Sequence, residues 1–193
     1  MPHMDDQVIQ AMAKWPNVPD CYGWLGLDRR GDWYMRDAAA QARGPFCGPE
    51  STPLSKGSRL EHRGLCAFIG RNFHATELGE WYFQNGPQRV YVELEVTPWV
   101  LRLEQDGRVV VNHVGAVVDV GEWLVDEVGL VYGLTPLGLG LVHAQDMWDL
   151  SEKLDREGLE IRSVASALLP QRYGYCCQPQ PDTKKPTIGP AIQ

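Results

Sequence analysis

No apolar run in this chain approaches the roughly 20 residues that a membrane-crossing helix needs. The acidic start, residues 1–6, lacks the basic-then-apolar pattern of an export signal. The chain therefore reads as soluble and cytoplasmic. Cys21, Cys47, Cys66, Cys176 and Cys177 are odd in number and form no Cys-x-x-Cys pair, which excludes a disulfide framework and a zinc ribbon and leaves reduced thiols. A Gly-x-Ser-x-Gly elbow and a His-Glu-x-x-His helix are both missing. Residues 133–140 are glycine-rich, but Pro136 removes a donor and no Lys-Ser/Thr follows, so they form no phosphate loop. Nothing in the chain calls for a cofactor or a metal.

Positive charge is scarce where it would matter for nucleic acid. Residues 1–75 hold nine basic against eight acidic side chains, residues 76–157 five against fifteen, and residues 158–193 four against two. The middle of the chain would repel a phosphate backbone, which disfavours duplex nucleic acid and anionic lipid as partners. Single-stranded nucleic acid would have to use Arg29, Arg30, Arg36, Arg63 and Arg71 beside Trp24 and Trp33, in a segment of net charge only +1.

What the chain does have is a 44% apolar composition, enough for a real core, and regular patterning. Residues 5–15 space Val8, Ile9, Met12 and Trp15 at helical intervals, and Pro16 ends them. Residues 22–27 and 32–36 flank a turn with Gly31 in a positive-φ slot. Residues 38–57 read as an irregular connection. Ser58 and Glu61 make a capping-box pattern, predicting a helix from Ser58 through Phe73. Alternation then predicts strands over 80–84, 90–96 and 99–103, a hairpin at Asp106-Gly107 with Val109 and Val111 beyond it, and strands over 114–120, 129–134 and 139–144. Asp146 and Gly158 bracket a last helix. Residues 159–169 lean towards a short helix. Residues 170–193 carry five prolines and four glutamines and read as a loose end.

Gly31-Asp32-Trp33-Tyr34 returns as Gly79-Glu80-Trp81-Tyr82, with a shorter echo at Gly121-Glu122-Trp123. The longer match points to two related units, each a set of strands followed by a helix. The expected division is residues 1–75, residues 76–158 and a terminal stretch 159–193.

That order, together with Gly86-Pro87-Gln88-Arg89-Val90-Tyr91-Val92 and Val96-Thr97-Pro98-Trp99, resembles a bacterial family of uncharacterised proteins over roughly residues 22–145. The resemblance implies an α+β fold with duplicated motifs, whose second half is a pleckstrin-homology-like curved antiparallel sheet. It also implies the role suggested for that family, signal transduction through an unidentified protein or nucleic-acid ligand. This chain departs from the family at Asn85-Gly86-Pro87-Gln88-Arg89, where a Thr-Pro-acidic-Lys run is usual.

Candidate site residues follow from chemistry. Asn85, Gln88 and Arg89 present a polar edge where a planar guanidinium makes paired hydrogen bonds; equally, Arg89 pins the hairpin to a nearby acid. Trp24 and Trp99 are candidates for an aromatic groove if their strands lie at edges, whereas Trp33 and Trp81 begin strands and belong to the core. Glu93 and Glu95 alternate onto one strand face, the solvent face on this reading, although like-charge repulsion could suit one to acid–base work. His62 and Cys66, four apart on a helix, supply two ligands or a thiol–imidazole pair and no more. His74, His113 and His143 read as core or surface histidines. The expected function is a non-enzymatic interaction or regulatory protein with a protein partner. The alternative is a small-molecule binder or enzyme with a pocket between the units, lined by Trp24, Trp99, Arg89 and Glu93.

Overall fold

The computed structural model describes residues 4–181. Helix α1 (Asp6–Lys14) buries Val8 and is tied down where the Asp5 N–H donates to Asn72 Oδ1 at 2.9 Å and Arg71 pairs with the Asp5 carboxylate at 3.1 Å. Strand β1 (Cys21–Leu27) then turns into β2 (Trp33–Met35). The turn is closed by Asp28, whose Oδ1 accepts from the Arg30 and Asp32 N–H groups at 2.8 and 2.9 Å, with Gly31 at φ 81° as the spacing predicts. A short helix, α2 (Ala38–Ala42), follows, then β3 (Ser58–Arg59), α3 (Arg63–Arg71), β4 (Phe73–Ala75), β5 (Trp81–Asn85) and β6 (Gln88–Leu94). These six strands form one sheet in the order β3-β2-β1-β6-β5-β4.

A second sheet takes β7 (Trp99–Leu103), β8 (Val109–Val111), β9 (Val117–Val118), β10 (Glu122–Val125), β11 (Val131–Thr135) and β12 (Gly138–Val142). Helix α4 (Met147–Glu157) follows and stops at Gly158, left-handed at φ 61°, as expected. Strand β13 (Ile161–Ser163) then adds to the far end, giving the order β13-β10-β11-β12-β7-β8-β9, and α5 (Leu169–Tyr173) closes the described chain. The fold is thus α+β, with two strand-rich sheets and few helices.

The two sheets share one connectivity. In the first, the antiparallel meanders β1-β2-β3 and β4-β5-β6 join through a parallel β1–β6 pair. In the second, β7-β8-β9 and β10-β11-β12 join through a parallel β7–β12 pair. The sheets divide at residues 95–98, not at the 75/76 boundary that the Gly-x-Trp repeat predicts. Trp33 and Trp81 open the middle strands of successive meanders in one sheet, and do not mark one sheet each. Trp123 lies in the first strand of its meander, so the shorter echo has a different place.

Several segments differ from the sequence reading, for one recurring reason. Ser58 and Arg59 form a strand against Met35 and Tyr34 instead of beginning a helix, because β2 would otherwise leave an open edge. The helix begins at Arg63, and His62 caps it, its Nδ1 accepting from the Leu65 N–H at 3.1 Å. Residues 161–163 are likewise recruited as a parallel strand on β10. Asp146 makes no cap bond to α4; its carboxylate takes the Arg102 guanidinium at 2.6 and 2.9 Å and the Leu103 N–H at 3.0 Å. Residues 170–177 are seated: Tyr175 is buried, the Cys176 N–H donates to Gly79 O at 2.9 Å, and the Leu94 N–H donates to Cys177 O at 2.8 Å. The rest of the expected loose end, residues 182–193, lies outside the described residues. Among the described residues no helix is long and apolar enough to cross a membrane.

The sheets meet through rings. Phe73 lies 5.2 Å from Trp33, 4.7 Å from Trp81 and 5.6 Å from Trp99, and His113 stacks on Trp99 at 5.2 Å. An indole removes on the order of 200 Å² from water, about 5 kcal/mol gross at 25 cal/mol/Å². A few such rings therefore dominate the contact between the halves.

Candidate functional site

Where the two sheets meet, a cleft of about 670 Å³ opens to solvent. The first half contributes Asp32 beside the β1–β2 turn, Arg59 of β3, and Glu61, Arg63 and Cys66 along the start of α3. The second half contributes Asn112 and His113 from the β8–β9 turn. Two close approaches set this geometry. The Asn112 amide donates to Arg30 O at 2.9 Å, latching one turn onto the other. Gly70 of α3 lies against the His113 carbonyl, where any Cβ would overlap the oxygen, so only glycine lets the helix sit there.

The cleft rim is charged and mixed. Arg59 pairs with Asp32 at 3.3 Å. Arg63 and Glu61, both exposed, have no ion pair among the described residues. Cys66 and His113 bring a thiol and an imidazole to the same cleft, but neither is set for nucleophilic chemistry. Burial pushes the Cys66 thiol above its ordinary range, and Sγ donates to Leu60 O at 3.5 Å. Burial holds the His113 imidazole neutral, its pKa lowered to about 3, and both ring nitrogens are sealed from solvent without a hydrogen-bond partner among the described residues. His62, the other half of the sequence-level thiol–imidazole pair, is committed to the helix cap. Among the described residues no group of three or more His, Cys, Asp or Glu is placed to hold a metal ion.

The residues singled out from sequence lie elsewhere. Trp99 is 1% exposed and its indole N–H donates to Leu137 O at 2.7 Å; β7 is interior to its sheet, so this ring is core and lines no edge groove. Trp24 is 44% exposed, yet β1 is also an interior strand. With Asn85 it borders a separate apolar cleft of about 230 Å³ beside Leu65 and Ile69 of α3. The Gln88 amide donates to Pro19 O at 3.0 Å, and the Arg89 guanidinium lies over the Tyr82 ring at 4.9 Å, so both side chains brace the β5–β6 hairpin.

Glu93 is a correction. It is 7% exposed, not on a solvent face, and pairs with the buried Arg36. Arg36 also donates to Ser55 O at 2.8 Å, Gly44 O at 2.6 Å and Gly23 O at 3.3 Å. The irregular connection over residues 38–57 thereby folds across this face of the sheet, with Phe46 seated on Gly26. Glu95 takes Lys56 at 2.8 Å and Arg29 at 3.3 Å. The pocket expected from Trp24, Trp99, Arg89 and Glu93 therefore does not form. The single-stranded nucleic-acid platform loses Arg29, Arg36 and Arg71 to ion pairs and Trp33 to the core.

Asn112 and His113 carry no local motif; only tertiary contact brings them to the cleft. The signal that was readable is Gly31-Asp32-Trp33, which forms its edge. Neither the curated proteins nor the solved structures contain a match to this chain. A family described as "Protein of unknown function (DUF2946)" matches residues 4–180, and the chain belongs to that family.

Proposed function

We propose that this protein is a non-enzymatic interaction protein of the cytoplasm that docks a segment of a protein partner in the seam cleft, with Arg63 pairing an acidic side chain of that segment. The observation that carries this reading is the state of the cleft itself. Its rim offers a guanidinium, Arg63, and a carboxylate, Glu61, with no ion pair among the described residues, while burial raises the pKa of its thiol and keeps its imidazole neutral. A recognition surface needs the first property and a nucleophilic site would need the opposite of the second. Arginine suits the role because its planar fork bonds a carboxylate through two N–H groups.

The shared connectivity of the two sheets supports descent by duplication. The second sheet is mixed and not the antiparallel one expected, since its β7–β12 and β10–β13 pairs are parallel, so only the order of strands followed by α4 favours a pleckstrin-homology-like scaffold. Both fit a regulatory role of the kind suggested for the resembling family. A second reading, small-molecule binding, draws support from the cleft volume, which is within the roughly 300–1,000 Å³ of small-ligand sites.

A photo-crosslinking residue at Ala67, exposed on α3 and bordering the cleft, tests the proposal in the full chain expressed in its own cells. A discrete protein adduct that disappears with Arg63→Glu and survives Glu50→Lys is expected. An adduct indifferent to Arg63, or none at all, overturns the proposal.

A further inference from the structure

The second sheet carries a groove independent of the seam. Its space of about 360 Å³ is bordered by Val117 and Val118 of β9, by Trp123 of β10, by Leu159 just ahead of β13, and by the last turns of α4. Strands β9 and β13 are the two ends of the sheet, each hydrogen-bonded to a neighbour on one side only. The end strand β9 and the residue leading towards β13 thus border a single groove, and its apolar wall is open to solvent: Val117 is 56% exposed and Leu159 39%. An open strand end beside exposed apolar side chains is what strand-adding peptides recognise.

The charge around the groove names the occupant. At the Asp106-Gly107 turn it continues into a second cleft of about 420 Å³, bordered by Glu104, Asp149 and Glu152. The three bases here are already used: Arg108 pairs with Asp106 at 2.6 Å, and Lys153 and Arg156 both pair with Glu157, at 2.9 and 3.1 Å. Glu104, Asp119, Asp149 and Glu152 have no ion pair among the described residues. The apolar wall and this uncompensated negative rim lie side by side. An extended chain turns alternate side chains to opposite sides, so it can give apolar residues to the wall and cations to the rim.

We infer that this groove docks an extended segment of a protein partner in which lysine or arginine alternates with β-branched residues. The surface is distinct from the seam cleft, so its failure would leave the seam proposal standing. The probe is a fluorescent six-residue peptide alternating lysine and valine, titrated by anisotropy against the full-length protein. Its controls are a glutamate–valine peptide and hexalysine. The alternating basic peptide binds, and both controls bind at least about tenfold more weakly, roughly 1.4 kcal/mol. Asp119→Lys combined with Glu152→Lys weakens binding by a similar factor, as does Val117→Lys alone, all three positions being at the surface. Glu50→Lys with Glu77→Lys, an equal change of net charge in the first half, leaves it unchanged.

Hexalysine binding as tightly as the alternating peptide would reduce the effect to unspecific charge and overturn the inference. Equal weakening by the two double variants would do the same. A concentration-dependent dimer that Val117→Lys abolishes would assign the groove to a second copy of the chain and equally overturn it.

Discussion

His113 shows how one side chain couples the core to the solution. Its imidazole stacks on Trp99 and stands edge-on to Trp33 and Phe73, with no hydrogen-bond partner for either nitrogen among the described residues. Charging it there would place an uncompensated cation among rings without water, so burial lowers its pKa from the ordinary 6.5 to about 3. The sign of the consequence follows. Below pH 6.5 the unfolded chain binds a proton that the native imidazole refuses, so stability is complete above pH 6.5. It falls on acidification towards pH 3, by at most about 1.4 kcal/mol per pH unit for this group. His74 and His143 are lowered by burial in the same direction. His113→Phe keeps the stacking and removes the titration. Urea unfolding at pH 7.5 and pH 5 is expected to show a smaller loss of stability in the variant than in the natural chain; an equal loss would mean that His113 is not the group responsible.

At the scale of elements, the connection over residues 38–57 shows how a segment with little regular structure is held. Apart from α2 it has no regular secondary structure, so its order rests on side chains: Arg36 donates to the Ser55 and Gly44 carbonyls and pairs with Glu93, Ser55 Oγ donates to Pro45 O at 2.7 Å, and Phe46 is buried. Removing one member of a buried pair strands the other. Arg36→Ala is therefore expected to destabilise the fold by about 3–5 kcal/mol, and Arg36→Met with Glu93→Leu by clearly less, since the double change leaves no buried charge. Chemical denaturation of both variants decides between this account and one in which the pair is incidental. The burial of Glu93 belongs to this scale as well. Alternation along β6 correctly separates Val92 and Leu94 from Tyr91 and Glu93, but period two says nothing about what covers the second face.

For the whole molecule, the aromatic seam makes the two sheets one cooperative unit. Trp99 belongs to the second sheet and touches Phe73 and Trp81 of the first, so the loss of its ring removes contacts that neither half can replace internally. Trp99→Ala is expected to cost about 3–5 kcal/mol. It should also separate the unfolding transitions seen by far-ultraviolet dichroism and by tryptophan fluorescence, which are expected to coincide in the natural chain. Coincident transitions in the variant would place the coupling elsewhere. The seam cleft and the groove differ in origin. The first exists because the sheets are joined; the second belongs to one sheet alone.

Local physics was readable from the residues. The Gly31 turn, the Asn85-Gly86 and Asp106-Gly107 hairpins, the alternation of β6 and β7, the Gly158 stop and the α+β class each depend on neighbours a few positions away, and the sequence by itself determined them. Tertiary structure decided the rest. Residues 58–59 and 161–163 became strands because open edges of β2 and β10 offered backbone groups to pair. Glu93 was buried because a distant connection folded over it. Asn112 and His113 share a cleft with Arg63 because two sheets packed ring against ring. In each case the deciding free energy comes from a partner far along the chain, and such a partner leaves no mark on the residues beside the position it changes.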